Sequence, residues 1–143
     1  MEGFAGEIGS KVHVLRLDAG ELVLESIEGY LEKRGVRNAY VASGIGTLSD
    51  CVLHMVMTTG LPPVEHFERW EDKPLEIASI SGIVAGGKAH LHTVISDHEK
   101  AYAGHLEPGC RVLYLAEIVI FEMDTEMDRK ANEDGIKQIY TRW

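Results

Sequence analysis

The chain has 143 residues, 45% of them hydrophobic and 26% charged, which suits one globular domain with a buried core and excludes a disordered chain. Its formal net charge of −9 opposes general attraction to phosphate backbones and anionic membrane surfaces. No apolar run approaches the roughly 20 residues that span a bilayer, and MEGFAGEIGS lacks the basic start and apolar run of a secretory signal, so a cytoplasmic protein without membrane contact is expected.

Residues 11–18, KVHVLRLD, alternate: Val12, Val14 and Arg16 face one way, His13, Leu15 and Leu17 the other, which predicts a strand. The main amphipathic helix follows. Asp18 and Glu21 stand at capping-box spacing, and Val23, Ile27, Tyr30 and Leu31 recur at helical intervals with Leu24 beside them. Lys33 and Arg34 suit the negative end of the helix dipole, and Gly35 suits a left-handed stop. The pattern then turns to β. NAYVAS leads into a loop at Gly44-Ile45-Gly46, CVLHMVMTT follows as a strand, and Gly60, Pro62 and Pro63 break the chain. HFERW reads as a short strand. PLEIASISGIVA alternates, with Leu75, Ile77 and Ser79 against Glu76, Ala78 and Ile80.

Next comes a segment holding four of the seven histidines, and after it CRVLYLAEIVIFEM reads as a long buried strand. The polar, acidic tail ends in GIKQIYTRW, expected to pack as a turn or short helix. One helix among many strands, punctuated by Gly and Pro, predicts an α+β domain on a mostly antiparallel sheet. Residues 1–143 read as one domain, with its core at about 8–123 and the tail at 124–143. Cys51 and Cys110 match no CxxC pattern and read as free buried thiols.

SGIGTLSD follows a strand, as a nucleotide loop would, but the third glycine of GxGxxG is missing and a strand rather than a helix comes next. Without a helix N-terminus to hold a pyrophosphate, the segment reads as a tight inter-strand turn. No Walker sequence or GxSxG elbow occurs, and Ser43 and Cys110 lack a sequence partner that would make them nucleophiles.

The histidine segment, KAHLHTVISDHEKAYAGHL, carries more. In a strand, His90 and His92 project from the same face. DHEK at 97–100 reads as a four-residue hairpin turn; pairing Ser96 with Ala101 then places Val94 opposite Ala103 and His92 opposite His105. Opposed residues share a face about 5 Å apart, so three imidazoles converge while His98 stays at the solvated tip. Gly104 allows a close backbone approach or a bulge, and a slip of one residue would turn His105 to the other face. Three neutral nitrogens on adjacent strands match a tetrahedral zinc site with a fourth position for water or ligand; other divalent transition metals fit the same donors. Glu76, His54 and Glu117 are further candidates for a supporting or extra ligand, with Glu76 the candidate general base.

The joint pattern of E-I-x-S-I-S-G at 76–82, H-L-H at 90–92, A-G-H-L at 103–106, G-C at 109–110 and A-E-I-V-I at 116–120 resembles the PPC (plants and prokaryotes conserved) domain. The resemblance spans about residues 8–123, with Ala103 where the family usually has glycine. It implies a helix packed on a mostly antiparallel sheet, assembly into a homotrimer, and metal binding by His90, His92 and His105, as in some prokaryotic members. Plant members pair the domain with an R-G-R-P element that enters the DNA minor groove, and no such element occurs here. Three functions stay open: a trimeric metal-binding protein with a small-molecule or catalytic role, a DNA-binding, transcription-associated regulator, or a structural interaction module in which the histidines only stabilise the fold.

Overall fold

The computed structural model describes residues 7–141. Strand β1 (Glu7–Asp18) is followed by helix α1 (Val23–Glu32). Strands β2 (Ala39–Val56), β3 (Glu65–Trp70), β4 (Leu75–Ala85), β5 (Lys88–Ser96), β6 (Ala101–Leu106) and β7 (Arg111–Asp124) come next. A separate pair, β8 (Met127–Ala131) and β9 (Lys137–Thr141), closes the chain.

All pairings are antiparallel, in the order β1-β7-β2-β4-β5-β6, with β3 beside β2. The 18-residue β2 organises the whole. Its first half lies between β7 and β4; its second half pairs with β3 and, at Leu53–Leu106 and His54–His105, with β6. Strands β2, β4, β5 and β6 therefore close a ring, and cross-strand partners share a face.

Helix α1 buries Val23, Ile27 and Leu31 against β5 and β7. They join one core with Leu15, Leu17, Leu53, Leu91, Leu106, Ile118 and Ile120. Burying each large aliphatic side chain contributes roughly 1.5–3 kcal/mol. In β1, His13, Leu15 and Leu17 are the buried set, as the alternation required. His13 is held between Tyr30 Oη (3.1 Å) and Glu122 Oε1 (2.9 Å), which satisfies both ring nitrogens.

Five sequence expectations are corrected. The helix starts at Val23 with Leu22 at the N-cap and no side-chain cap. The Glu21 carboxylate accepts the Asp18 N–H (2.6 Å) and so closes the turn before the helix. There is no turn at Gly44-Ile45-Gly46, because β2 runs through it. These glycines serve close packing: a Cβ at Gly44 would sit 2.7 Å from Ile80 Cβ, and one at Gly46, where φ is +147°, 2.4 Å from the Leu115 oxygen.

In β4 a register shift between Ile77 and Ser79 resets the alternation and buries Ile80 with Leu75 and Ile77. Strand β7 is buried on one face, through Val112, Ala116, Ile118 and Ile120, while Tyr114 and Leu115 are exposed. The tail forms a β-hairpin. Asn132 Oδ1 accepts the N–H groups of Asp134 and Ile136 in its turn, and the Arg129 guanidinium donates to the Ile83 carbonyl (3.4 Å). Cys51 and Cys110 are free and buried, their sulfurs 3.6 Å apart.

Candidate metal centre

The histidine hairpin adopts the register read from the sequence: Ser96–Ala101, Val94–Ala103 and His92–His105 are paired. DHEK forms its turn, closed by the Asp97 N–H donating to the Lys100 carbonyl (3.0 Å). The Asp97 carboxylate accepts N–H groups from Glu99 (2.8 Å) and Lys100 (2.7 Å) and the Lys73 ammonium (2.5 Å). Lys73 first, then the two backbone donors, hold this carboxyl far below the usual carboxylate range.

The sign of the pH effect follows. A depressed carboxyl pKa contributes stability that is present above about 3.9, the unfolded value, and is lost as pH falls toward the folded one. Acid unfolding of Asp97→Asn is therefore expected to show a shallower stability loss below pH ~4 than wild type. Parallel denaturant titrations at pH 5 and 3 measure this; equal losses in the two proteins would remove Asp97 from the account.

His90 lies two residues from His92 and on its face, so the three rings converge. Centroid separations are 5.3 Å for His90–His92, 4.8 Å for His90–His105 and 5.5 Å for His92–His105. One nitrogen from each ring lies within 4.8 Å of those from the other two. A tetrahedral ion with ligands at about 2.05 Å needs donors about 3.4 Å apart, so modest side-chain rotations bring this set to bonding geometry.

The electrostatics suit a cation. Burial first, then His54 and His90, push His105 down to about 4, against an opposing pull from Glu107. His90 is lowered too, although its outer edge is exposed: by loss of water first, then by the Arg129 charge, then by His92 and His54. These two imidazoles are therefore neutral near pH 7, with lone pairs available to an ion.

The other named candidates fall as follows. His98 is at the turn tip and 89% exposed. Glu76 is exposed on β4 opposite Ser96, four residues along β5 from His92, or about 13 Å at 3.3 Å per residue. Glu117 lies on β7 beside Ile45 and Arg16. Neither glutamate joins the trio.

His54, by contrast, is the partner of His105 across β2–β6, and the two rings stack at 4.4 Å. Gly104 permits this, since a Cβ there would meet the His54 carbonyl oxygen at 2.8 Å. Glu107, which sequence reasoning did not single out, places Oε1 2.5 Å from His54 Nδ1 and 3.8 Å from His105 Nε2. The signal was present: His105-x-Glu107 repeats the one-residue spacing of His90-x-His92, which in extended chain puts both side chains on one face.

Fold and site together define a small α+β domain that displays a histidine cluster on the outer face of an antiparallel sheet. The chain belongs to the Plants and Prokaryotes Conserved (PCC) domain family, whose model matches residues 5–124. It is similar to a metal-containing protein from Archaeoglobus fulgidus, 29% identical with a TM-score of 0.83 over 98% of this chain and 99% of that one. A plant- and prokaryote-conserved protein from Pyrococcus horikoshii shares the fold at 22% identity, TM-score 0.83, over 100% and 99% of the two chains. A candidate DNA-binding protein from Bacteroides thetaiotaomicron shares it at 15% identity, TM-score 0.81, over 96% of each. Among curated proteins, the bifunctional protein GlmU of a Synechococcus strain is 30% identical over 111 residues, 77% of this chain. The matched stretch is 16% of GlmU, so the chain spans about a sixth of that relative's length.

Proposed function

We propose that the chain is a homotrimeric zinc-binding domain in which His90, His92 and His105 hold the ion and leave one position for a small ligand. The observation that carries this reading is the convergence of three imidazoles on one accessible sheet face, with donor atoms within 4.8 Å. A nitrogen-only set suits zinc better than hard cations such as calcium or magnesium, and other divalent transition metals can use it too. Likeness to the metal-containing Archaeoglobus protein points the same way.

Bound zinc supplies a Lewis acid that polarises an oxygen or activates water. The protein's part is to orient the ligands and shape the charge around them. Pairing with β6 fixes His92 against His105, and β4 fixes the strand that carries His90. Arg129 adds positive charge beside His90, which favours a ligand bearing a carboxylate, phosphate or polarised carbonyl.

A trimer is supported by the family resemblance and by an apolar outer face. Val12 and Val14 on β1, and Tyr40 and Ile45 on β2, are exposed, a pattern that marks association surfaces. Buried free Cys51 and Cys110 fit a reducing cytoplasm, and among the described residues no helix is long and apolar enough to cross a membrane. Analytical ultracentrifugation is expected to give the mass of three 15.8 kDa chains; a monomer at micromolar concentration would contradict the assembly.

The DNA-binding alternative has only fold-level relatives behind it, against a net charge of −9. A low-salt gel shift with duplex DNA is expected to show no retardation at micromolar protein. A saturating, salt-sensitive shift would favour the regulator.

A further inference from the structure

We infer that His54, His105 and Glu107 form a second divalent-cation position beside the three-histidine set and share His105 with it. The inference rests on reading His105 as a metal ligand. The donor atoms of the three residues lie within 4.8 Å of one another. Glu107 Oε1 lies 2.5 Å from His54 Nδ1 and 3.8 Å from His105 Nε2.

Backbone pairing builds this arrangement. His54 and His105 are a cross-strand pair, Gly104 lets β6 approach β2, and the Glu107 N–H donates to the Val52 carbonyl (3.1 Å). A surface ion pair held only by its side chains would show no such anchoring.

A second carboxylate stands on the far side of His54. Its Nε2 faces Glu65 Oε1 at 3.7 Å. For Nδ1 to bind an ion, the ring proton must move to Nε2, where the Glu65 carboxylate becomes its acceptor once the 3.7 Å gap closes to hydrogen-bond distance. Loading then exchanges the Nδ1–H bond to Glu107 for an Nε2–H bond to Glu65, with no net change in protons. Two imidazoles and one carboxylate form a mixed nitrogen–oxygen set that takes zinc and also harder ions such as manganese(II) and iron(II).

A neutral imidazole offers one lone pair, so His105 serves one ion at a time. The two positions are alternatives: one ion per chain occupies the three-histidine set, or moves across His105 to the second set.

Zinc titration of untagged His90→Ala/His92→Ala protein, followed by equilibrium dialysis and elemental analysis, tests this. The double variant is expected to bind one zinc per chain about 100-fold more weakly than wild type. Adding either Glu107→Gln or His54→Ala to it is expected to abolish that binding. The two substitutions are made separately, with trimer mass and circular dichroism as folding checks, so that one misfolded variant does not decide the outcome. A folded double variant that stays metal-free, or one whose zinc survives both additions, overturns the second position. The first of those results, alongside wild-type binding that depends on His92, leaves the three-histidine reading intact. Wild-type binding that ignores His90 and His92 but needs Glu107 would defeat the three-histidine reading and keep this one.

Discussion

His92→Ala is expected to weaken zinc binding by about 100-fold, at or beyond the upper end of losses seen when only a supporting residue is removed. His92 forms one corner of the cluster, 5.3 Å from the His90 ring and 5.5 Å from the His105 ring. It is paired with His105 on β6 and stands two residues from His90, so its loss leaves two ligands that no longer enclose an ion. Because binding to the folded state stabilises it through RT ln(1 + [L]/Kd), zinc is expected to raise the wild-type Tm and to leave the variant nearly unmoved at the same concentration. His98→Ala is the control. Its ring is at the turn tip, six residues beyond His92 and 89% exposed, and its removal is expected to change neither affinity nor Tm. Isothermal titration of the three proteins reads both effects. Equal zinc affinity in all three would remove His92 from the site.

The second large effect is at Gly82. Its φ is +152°, and an added Cβ would lie 2.1 Å from the His90 carbonyl oxygen and 2.9 Å from Leu91 Cα. Both strain and collision fall on backbone, and no side chain can rotate away to relieve them. A non-glycine residue in so sparsely populated a conformation costs about 1–3 kcal/mol before any clash. Gly82→Ala is therefore expected to lose about 3 kcal/mol or more, a fall in Tm of roughly 6–12 °C for a chain of this length. Since the colliding oxygen belongs to His90, any shift of β5 that relieves the contact also displaces a proposed ligand, and zinc affinity is expected to fall with stability.

Gly87→Ala separates the two contributions. Gly87 has φ +82° but nothing within 4 Å of an added Cβ, so only the conformational cost of about 1 kcal/mol applies. Thermal melts of both variants decide it. A Gly82→Ala protein as stable as Gly87→Ala would show that β4 and β5 can separate at His90 without loss.

The histidine hairpin was legible because its determinants are local. A four-residue turn sets the register, the period of two sets the faces, and both act within the 18 residues from Lys88 to His105. His54 and Glu107 were harder to place for the opposite reason. They meet through β2–β6 pairing, which depends on β2 running 18 residues and changing partners midway, and no local pattern encodes that path.

Gly44 and Gly46 read as a turn because glycine favours turns. Here they answer the pressure of Ile80 and the Leu115–Ala116 backbone on a continuous strand. Asp18 and Glu21 read as a helix cap because their spacing allows it. The start of β7 takes over instead: Val23 donates to the Cys110 carbonyl (2.9 Å) and Gly20 to Val112 (2.9 Å), so tertiary pairing sets where the helix begins. The tail hairpin was hidden because MDRKA and KQIYT carry little apolar alternation. Its fold rests on the Asn132 turn and on docking against the β4–β5 connection at Gly86, where a Cβ would meet Asp128 Oδ1 at 2.2 Å.

The metal content of untagged protein, purified without chelator and compared with a His90→Ala/His92→Ala/His105→Ala variant, bears most directly on the central claim. Elemental analysis is expected to find about one zinc per wild-type chain and none in the folded variant. Wild-type protein that emerges metal-free, and whose thermal stability is unchanged by added zinc, would contradict it.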